Sequence, residues 1–197
     1  NIFAIEDEIS LAIANRLRVQ LNGGTAPPLS ARKAVDPRAH DFYLRGLPLI
    51  AARGPGLREA VADFQQAVAI DPDYAQAWAA LAEAQILLPH YFLAPREAAF
   101  ASGEAAARRA LAIDPDTAAA DVALAMMYRV QWKWNEADAA FQRALKIAPG
   151  DAEAADQYGQ FLLAEGRLGE ALTQIDHAQR LDPLSGIIGA TRTNVLT

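Results

Sequence analysis

The chain has 197 residues, of which 52% are hydrophobic and 21% are charged, and its formal net charge is −6. This composition can build a globular core, and the acidic balance without a basic cluster argues against nucleic-acid binding by this segment. The absence of cysteine excludes disulfides and thiolate metal sites. No apolar run approaches the about 20 residues of a membrane-spanning helix.

Residues 1–22 are predicted to form an amphipathic helix. Its apolar side chains share one stripe, which consists of Ile2, Ile5, Ile9, Ile13, Leu17 and Leu21. This stripe must be buried on the first repeat, on a second copy of the chain, or on a domain upstream. Since the chain begins with Asn1 rather than methionine, we expect it to be a piece of a longer protein. Residues 23–37, with Gly23-Gly24 and Pro27-Pro28, are predicted to be a linker.

The remainder of the chain repeats a frame of small, bulky, small and proline residues three times, with a further, weakened copy in which Ala107 stands at the bulky position. The four copies are Ala60, Phe64, Ala67, Pro72; Gly103, Ala107, Ala110, Pro115; Ala137, Phe141, Ala144, Pro149; and Ala171, Ile175, Ala178, Pro183. The prolines stand 43, 34 and 34 residues apart. A period of about 34 residues is typical of a helical repeat array.

The offsets within the frame have a physical reason. Residues at i, i+4 and i+7 lie on one stripe of a helix, where small side chains allow a neighbouring helix to approach and the bulky one fills the gap. Proline then ends the helix. Four polar residues after the prolines are expected to cap the helices that follow, namely Asp73, Asp116, Asp151 and Ser185. Each unit is therefore predicted to be a helix, a turn and a second helix.

These residues resemble the tetratricopeptide repeat. The resemblance extends to the first helices, where Trp78, Leu81 and Ala82, then Leu124, Ala125 and Tyr128, then Tyr158, Gly159 and Leu162 match the family's pattern. It implies an all-α, right-handed superhelix, or solenoid, of about four helix pairs, with the extra N-terminal helix. The units span residues 38–72, 73–115, 116–149 and 150–183, and residues 184–197 are expected to form a truncated or capping helix. The residues expected to pack the repeats together are Ala60, Phe64, Ala67, Pro72, Trp78, Ala137, Phe141, Ala144, Pro149, Gly159, Ala171, Ala178 and Pro183.

Two groups of aromatic residues allow two interpretations each. The loop 89–95 of the long second unit contains Tyr91 and Phe92, which we expect to be buried against the array, although a contact surface is the alternative. Trp132 and Trp134 flank the turn of the third unit. We expect them to pack on the adjacent unit, and the alternative is stacking on a ligand.

Catalytic and metal-binding motifs are not found in the sequence. His40, His90 and His177 each lack a metal-ligand partner at helical spacing, and no phosphate-binding glycine loop or nucleophile motif occurs. We therefore predict that this segment is not an enzyme and binds no metal or cofactor. His177 falls beside the packing face of the last repeat, so a hydrogen-bonded structural role is expected for it.

The family resemblance implies a binding groove on the concave face, formed by fixed positions of the first helices. In this sequence we assign those positions to Tyr43, Leu47, Gln76, Glu83, Ile86, Val122, Met126, Arg129, Asp156 and Gln160. This mixed lining suits a peptide or protein segment, because apolar anchors supply affinity and scattered polar groups set the register.

A second resemblance concerns the context of the array. The run Ile2–Ile9 looks like the segment that closes a TolB-like domain in multidomain bacterial signalling proteins, where tetratricopeptide repeats follow it. The effector domain in those proteins is commonly a nucleotide cyclase, a winged-helix transcriptional regulator or a kinase. The predicted function is a protein-interaction or scaffolding module of such a protein. The alternatives are a small-molecule sensor coupled to the effector, or an oligomerisation element that pairs chains through the N-terminal helix or the exposed repeat ends. The compartment, cytoplasmic or periplasmic, is left open.

Overall fold

The structure is a computed structural model and describes residues 35–196. The predicted N-terminal helix and nearly all of the predicted linker lie outside the described residues. Contacts divide the chain into two units, Asn1–Pro37 and Arg38–Thr197, and the second unit contains the helical array.

The described part of the chain contains helices and no strand. The α-helices are α1 (Pro37–Ala52), α2 (Leu57–Ile70), α3 (Ala75–Leu87), α4 (Arg96–Ile113), α5 (Ala118–Val130), α6 (Trp134–Ile147), α7 (Ala152–Ala164), α8 (Leu168–Leu181) and α9 (Gly186–Leu196). Short 3-10 turns at Gly54–Gly56 and Leu88–Tyr91 follow α1 and α3.

Consecutive helices pack as pairs, α3 with α4, α5 with α6, and α7 with α8. In the first pair, α1 approaches α2 so closely that a Cβ atom on Gly46 would lie 2.5 Å from Phe64 Cζ. The first helices of successive pairs also contact each other, α3 with α5, α5 with α7, and α7 with α9. These first helices therefore form a continuous face of the array.

The core follows the repeated frame of small and bulky residues. Within the expected packing set, the alanines, Phe64 and Phe141 are all fully buried, whereas the prolines lie exposed at the ends of the units. The Phe141 ring lies 5.5 Å from the rings of both Tyr158 and Phe161. Phe141 thus packs the third helix pair against the fourth, as expected for the bulky residue of the frame.

The helix starts differ in part from the expected capping. Asp151 caps α7 by accepting a hydrogen bond from the Ala154 backbone N–H at 3.0 Å, and Ser185 accepts one from Ile188 at 3.3 Å. Asp73 and Asp116 lie close to the starts of α3 and α5 but do not occupy the N-cap positions. The N-cap positions of α3 and α5 are Tyr74 and Thr117, neither of which makes a side-chain cap. Asp73 and Asp116 instead lie in turns, where their backbone N–H groups donate to the side chains of Asp71 and Asp114.

Three residues other than glycine have a positive φ between the helices of a pair: Arg53, Phe92 and Trp132, with φ of 59°, 57° and 62°. The expected burial of the 89–95 loop is wrong for Phe92, which is 96% exposed. Trp132 is also exposed and meets Trp134 edge-on, whereas Trp134 packs across to Phe161 of the next pair, 6.0 Å away. The adjacent-unit interpretation therefore holds for Trp134 and not for Trp132.

Candidate partner-binding groove

The face formed by the first helices contains two adjoining cavities. The first, of about 240 Å³, lies between the end of α1, helix α7 and the start of α9. Its lining consists of Ala51, Arg53, Ala152, Glu153, Asp156, Gln157, Asp182, Ser185, Ile187 and Ile188. Apolar groups from α9 and polar groups from α7 thus face the same space.

The second cavity, of about 150 Å³, lies between α3, α5 and α7. Its lining consists of Glu83, Ala119, Val122, Met126, Asp151, Glu153, Ala154 and Gln157. Glu153 and Gln157 line both cavities, so the two spaces adjoin along one turn of α7. We refer to the lining of both cavities together as the inner groove.

Arg53 crosses the inner groove. Its guanidinium reaches Glu153 at 2.7 Å and Glu83 at 3.4 Å, so it joins the end of α1 to α3 and to α7. The pair with Glu153 spans 100 residues of sequence. Arg53 is only 18% exposed, because α7 and α3 enclose it from two sides. The groove is therefore bridged by a cation of the chain itself.

Electrostatics in the groove favour protonation of Glu83. Burial and repulsion from Glu153 raise the pKa of Glu83 to about 7, although Arg53 acts in the opposite direction. Asp151 adds a smaller repulsion. Carboxylates therefore outnumber the cations that can neutralise them at this place.

Asp156 is the most buried carboxylate of the groove, with 2% exposure. Its Oδ2 accepts hydrogen bonds from Gln160 Nε2 at 2.7 Å and from the Thr191 hydroxyl at 3.5 Å. Its Oδ1 is buried and has no hydrogen-bond partner. Burial raises the pKa of Asp156, and the bonds from Gln160 and Thr191 partly offset that effect.

The structure brings together half of the residues assigned to the groove from the sequence. Glu83, Val122 and Met126 line the second cavity, Asp156 lines the first, and Gln160 binds Asp156. Tyr43 packs instead on the rings of Phe64 and Tyr74, and burial is the main cause that raises its pKa.

The other assigned residues lie apart from the two cavities. Leu47 and Gln76 are exposed, and Arg129 is half-buried, with a pKa lowered by desolvation. Ile86 does not face the groove, because it is 0% exposed and fills the space that a Cβ atom on Gly103 would occupy, 2.8 Å from Ile86 Cγ1. The close approach of α4 at Gly103 therefore makes Ile86 a packing residue.

The groove residues that were not assigned from the sequence include Arg53, Asp151 and Gln157. Gln157 directly follows the assigned Asp156 and Asp151 is the N-cap residue of the same helix, so a wider stripe on α7 would include both. Arg53 has no such signal, because its role depends on the curvature that brings α1 and α7 together.

The three histidines are all hydrogen-bonded. His177 Nε2 lies 3.0 Å from the Pro149 carbonyl oxygen, His90 Nδ1 lies 3.2 Å from that of Ile86, and His40 Nδ1 lies 2.9 Å from the Tyr74 hydroxyl. These bonds agree with the structural role expected for His177. Within residues 35–196, no group of three or more acidic or histidine side chains could hold a metal ion. Among the described helices, none is both long and apolar enough to cross a bilayer.

Comparison with known sequences places part of the chain beside a signalling protein. No protein-family model matches the chain. A segment of 82 residues is 35% identical to a protein of Rhizobium meliloti (strain 1021) named "Putative adenylate cyclase 3". The match covers 41% of this chain and 14% of that protein. The chain therefore spans a small part of the length of this relative.

Comparison with solved structures concerns the whole array. The chain superposes on TTC0263, a thermophilic TPR protein of Thermus thermophilus, with a TM-score of 0.68 and 18% identity, over 99% of this chain and 93% of that one. It also resembles MamA of Desulfovibrio magneticus RS-1, with a TM-score of 0.50 and 13% identity over 83% and 92% of the two chains. Together with the paired helices and the period of the frame, these likenesses establish that the chain has the all-α, right-handed superhelical fold of tetratricopeptide-repeat proteins.

Proposed function

We propose that this chain is a non-catalytic interaction module whose inner groove binds an extended peptide segment of a partner protein. The observation that carries the proposal is that the two cavities adjoin along α7 at Glu153 and Gln157, with apolar side chains in each cavity and polar side chains between them. Apolar anchors separated by polar groups are what an extended peptide requires, because alternate side chains enter the groove while the others remain in solvent.

The openness of the groove favours a peptide over a small-molecule ligand. Both cavities are open to solvent along the face of the first helices. Pockets for drug-sized ligands instead enclose most of the ligand surface. A small-molecule sensor is therefore the weaker hypothesis for this groove.

The context of the module is also part of the proposal. The match to the Rhizobium meliloti protein supports a place within a multidomain signalling protein, since that protein is named an adenylate cyclase and extends well beyond the matched segment. In such an arrangement the array would present a partner to an effector domain, and the chemistry would reside in that domain.

The groove is tested by peptide selection on the intact chain. A display library of random peptides of about 12 residues, which reach about 40 Å when extended, is selected on the full chain. We expect enriched peptides whose affinity falls by about tenfold or more when Gln157→Trp places an indole where the two cavities adjoin. The matched control is Gln66→Trp, which places the same side chain on an exposed position of α2.

Thermal melts followed by circular dichroism establish that both tryptophan variants are folded, and Gln157→Ala serves as a second, less disruptive variant. If the enriched peptides bind the Gln157 variants as tightly as the unmodified chain, the inner groove is not the binding surface. A library from which no peptide is enriched would also contradict the proposal.

A further inference from the structure

The buried aspartates of the helices differ in how their charge is neutralised. In the described part of the chain, three helical aspartates are at most 4% exposed: Asp63, Asp121 and Asp156. Asp63 pairs with Arg45 at 2.9 Å, and Asp121 is held by Arg143 through two hydrogen bonds, one of them 2.7 Å long. Asp156 receives only the neutral amide of Gln160 and the hydroxyl of Thr191. It is thus a buried carboxyl without a cationic partner among the described residues.

The contacts of Asp156 leave an acceptor site unfilled. Asp156 Oδ1 has no hydrogen-bond partner, and neither does Oε1 of the neighbouring Gln157, although both atoms are buried. Both residues line the first cavity. A buried carboxylate oxygen without a donor is costly, and a charged donor satisfies it best. Asp156 Oδ1 therefore provides a place for a cationic donor in the first cavity.

The cation already present in the groove does not fill this place. Arg53 also lines the first cavity, but its two terminal nitrogens are engaged by Glu83 and Glu153. The remaining carboxylates of the groove, Asp151 and Asp182, add negative charge without adding a cation. The inner groove therefore keeps an excess of carboxylates after Arg53 is counted.

We infer that the first cavity is a subsite for a basic side chain, arginine or lysine, of the partner peptide. The basic group donates to Asp156 Oδ1, while its aliphatic stem lies against Ile187 and Ile188 of α9. A neighbouring apolar residue of the same peptide enters the second cavity beside Val122 and Met126. This inference depends on the proposed function, because it names the chemistry of the peptide that the groove binds.

The inference is tested with the peptides enriched on the full chain. We expect them to carry an arginine or lysine next to an apolar residue. An enriched arginine peptide is compared with the same peptide containing citrulline, which keeps the shape and loses the charge. Citrulline should weaken binding to the unmodified chain by about tenfold or more, since a charge-assisted hydrogen bond is lost.

The same two peptides are measured on Asp156→Asn, which keeps the side-chain shape, and on the control Glu97→Gln, an exposed position of α4. Asp156→Asn should remove most of the difference between the arginine and citrulline peptides, and Glu97→Gln should leave it unchanged. This comparison isolates the pair of charges because each change removes one partner of the same contact.

The outcomes separate the subsite from the groove. Enriched peptides that lose affinity on Gln157→Trp but bind equally well with citrulline would overturn the basic subsite and leave the groove as the binding surface. A citrulline effect that persists in full on Asp156→Asn would place the basic group elsewhere and overturn the assignment to Asp156. The absence of any groove-dependent peptide would overturn both proposals.

Discussion

Single residues carry backbone strain at the turns between paired helices. Trp132 and Gly166 stand 34 residues apart and share the left-handed conformation, with φ of 62° and 77°. In both turns the backbone N–H of this residue donates to the carbonyl oxygen three residues earlier, at 3.2 and 3.0 Å. Glycine adopts this conformation readily, whereas for other residues it costs about 1–2 kcal/mol. Phe92 is also left-handed, with φ of 57°, and Arg53 shares the positive φ but has an extended ψ of −171°.

Phe92 permits the cleanest measurement of this strain, because its ring is 96% exposed. We expect Phe92→Gly to be more stable than Phe92→Ala by about 1 kcal/mol, since glycine alone relieves the left-handed conformation. Urea unfolding of the two variants gives the difference directly, and the alanine variant controls for loss of the ring. Equal stabilities would show that the turn is not strained at this residue.

At the scale of the helices, close approach decides how each pair packs. A Cβ atom on Gly159 of α7 would lie 2.5 Å from Ile175 Cγ1 and 3.3 Å from the Ala171 carbonyl oxygen of α8. Ile175 is itself 0% exposed and has little room to move. The small residue Gly159 in the first helix thus makes room for the bulky residue Ile175 in the second. This contact explains why the repeated frame has a bulky residue at that position.

Gly159→Ala should lower the free energy of unfolding by up to about 2 kcal/mol, because the added methyl group overpacks the α7–α8 contact at a cost of about 1–3 kcal/mol. The about 1 kcal/mol that alanine gains over glycine within a helix offsets part of this cost. Gly189→Ala in α9 is the matched control, since the nearest atom to its Cβ is 3.9 Å away. Chemical denaturation should show a higher free energy of unfolding for Gly189→Ala. If Gly159→Ala also raises the free energy of unfolding, α7 and α8 lie further apart than described.

The sequence predicts these pairs well and the groove less well, for a definable reason. Pairing depends on residues within one helical turn of each other, and the frame from Ala137 to Pro149 repeats that information in each unit. The fate of Ile86 depends on Gly103 in the next helix, and the position of Arg53 depends on a contact 100 residues away. Periodicity places a residue on a face of its own helix but does not state which neighbour covers that face.

At the scale of the whole molecule, the groove couples stability to pH through Glu83. Arg53, Glu153, Asp151 and Tyr43 surround this carboxyl group. Its pKa rises from an ordinary 4.5 to about 7 in the folded chain. Below the ordinary value the group is protonated in both states. As the pH rises from there to about 7, the unfolded chain loses the proton first, so the folded state becomes less stable.

We therefore expect the Glu83→Gln variant to lose less stability than the unmodified chain between pH 4.5 and 7. The difference in the free energy of unfolding between the two chains should change by about 1–3 kcal/mol over this range, at about 1.4 kcal/mol per pKa unit. Urea titrations at several pH values measure it. Glu97→Gln, at an exposed position, is the control and should follow the unmodified chain. Parallel pH profiles for Glu83→Gln and the unmodified chain would contradict the assigned pKa.

The bridge made by Arg53 has a mechanical consequence. Solenoids can usually be extended along their axis, because each repeat contacts only its neighbours. Here a guanidinium ties the start of the array to a helix three pairs further on, so lengthening the molecule from end to end first requires this tie to break. Because Glu153 is 58% exposed, the tie is worth no more than about 1 kcal/mol. The Arg53–Glu153 ion pair is thus weak enough for thermal motion to break, and each break permits the array to extend.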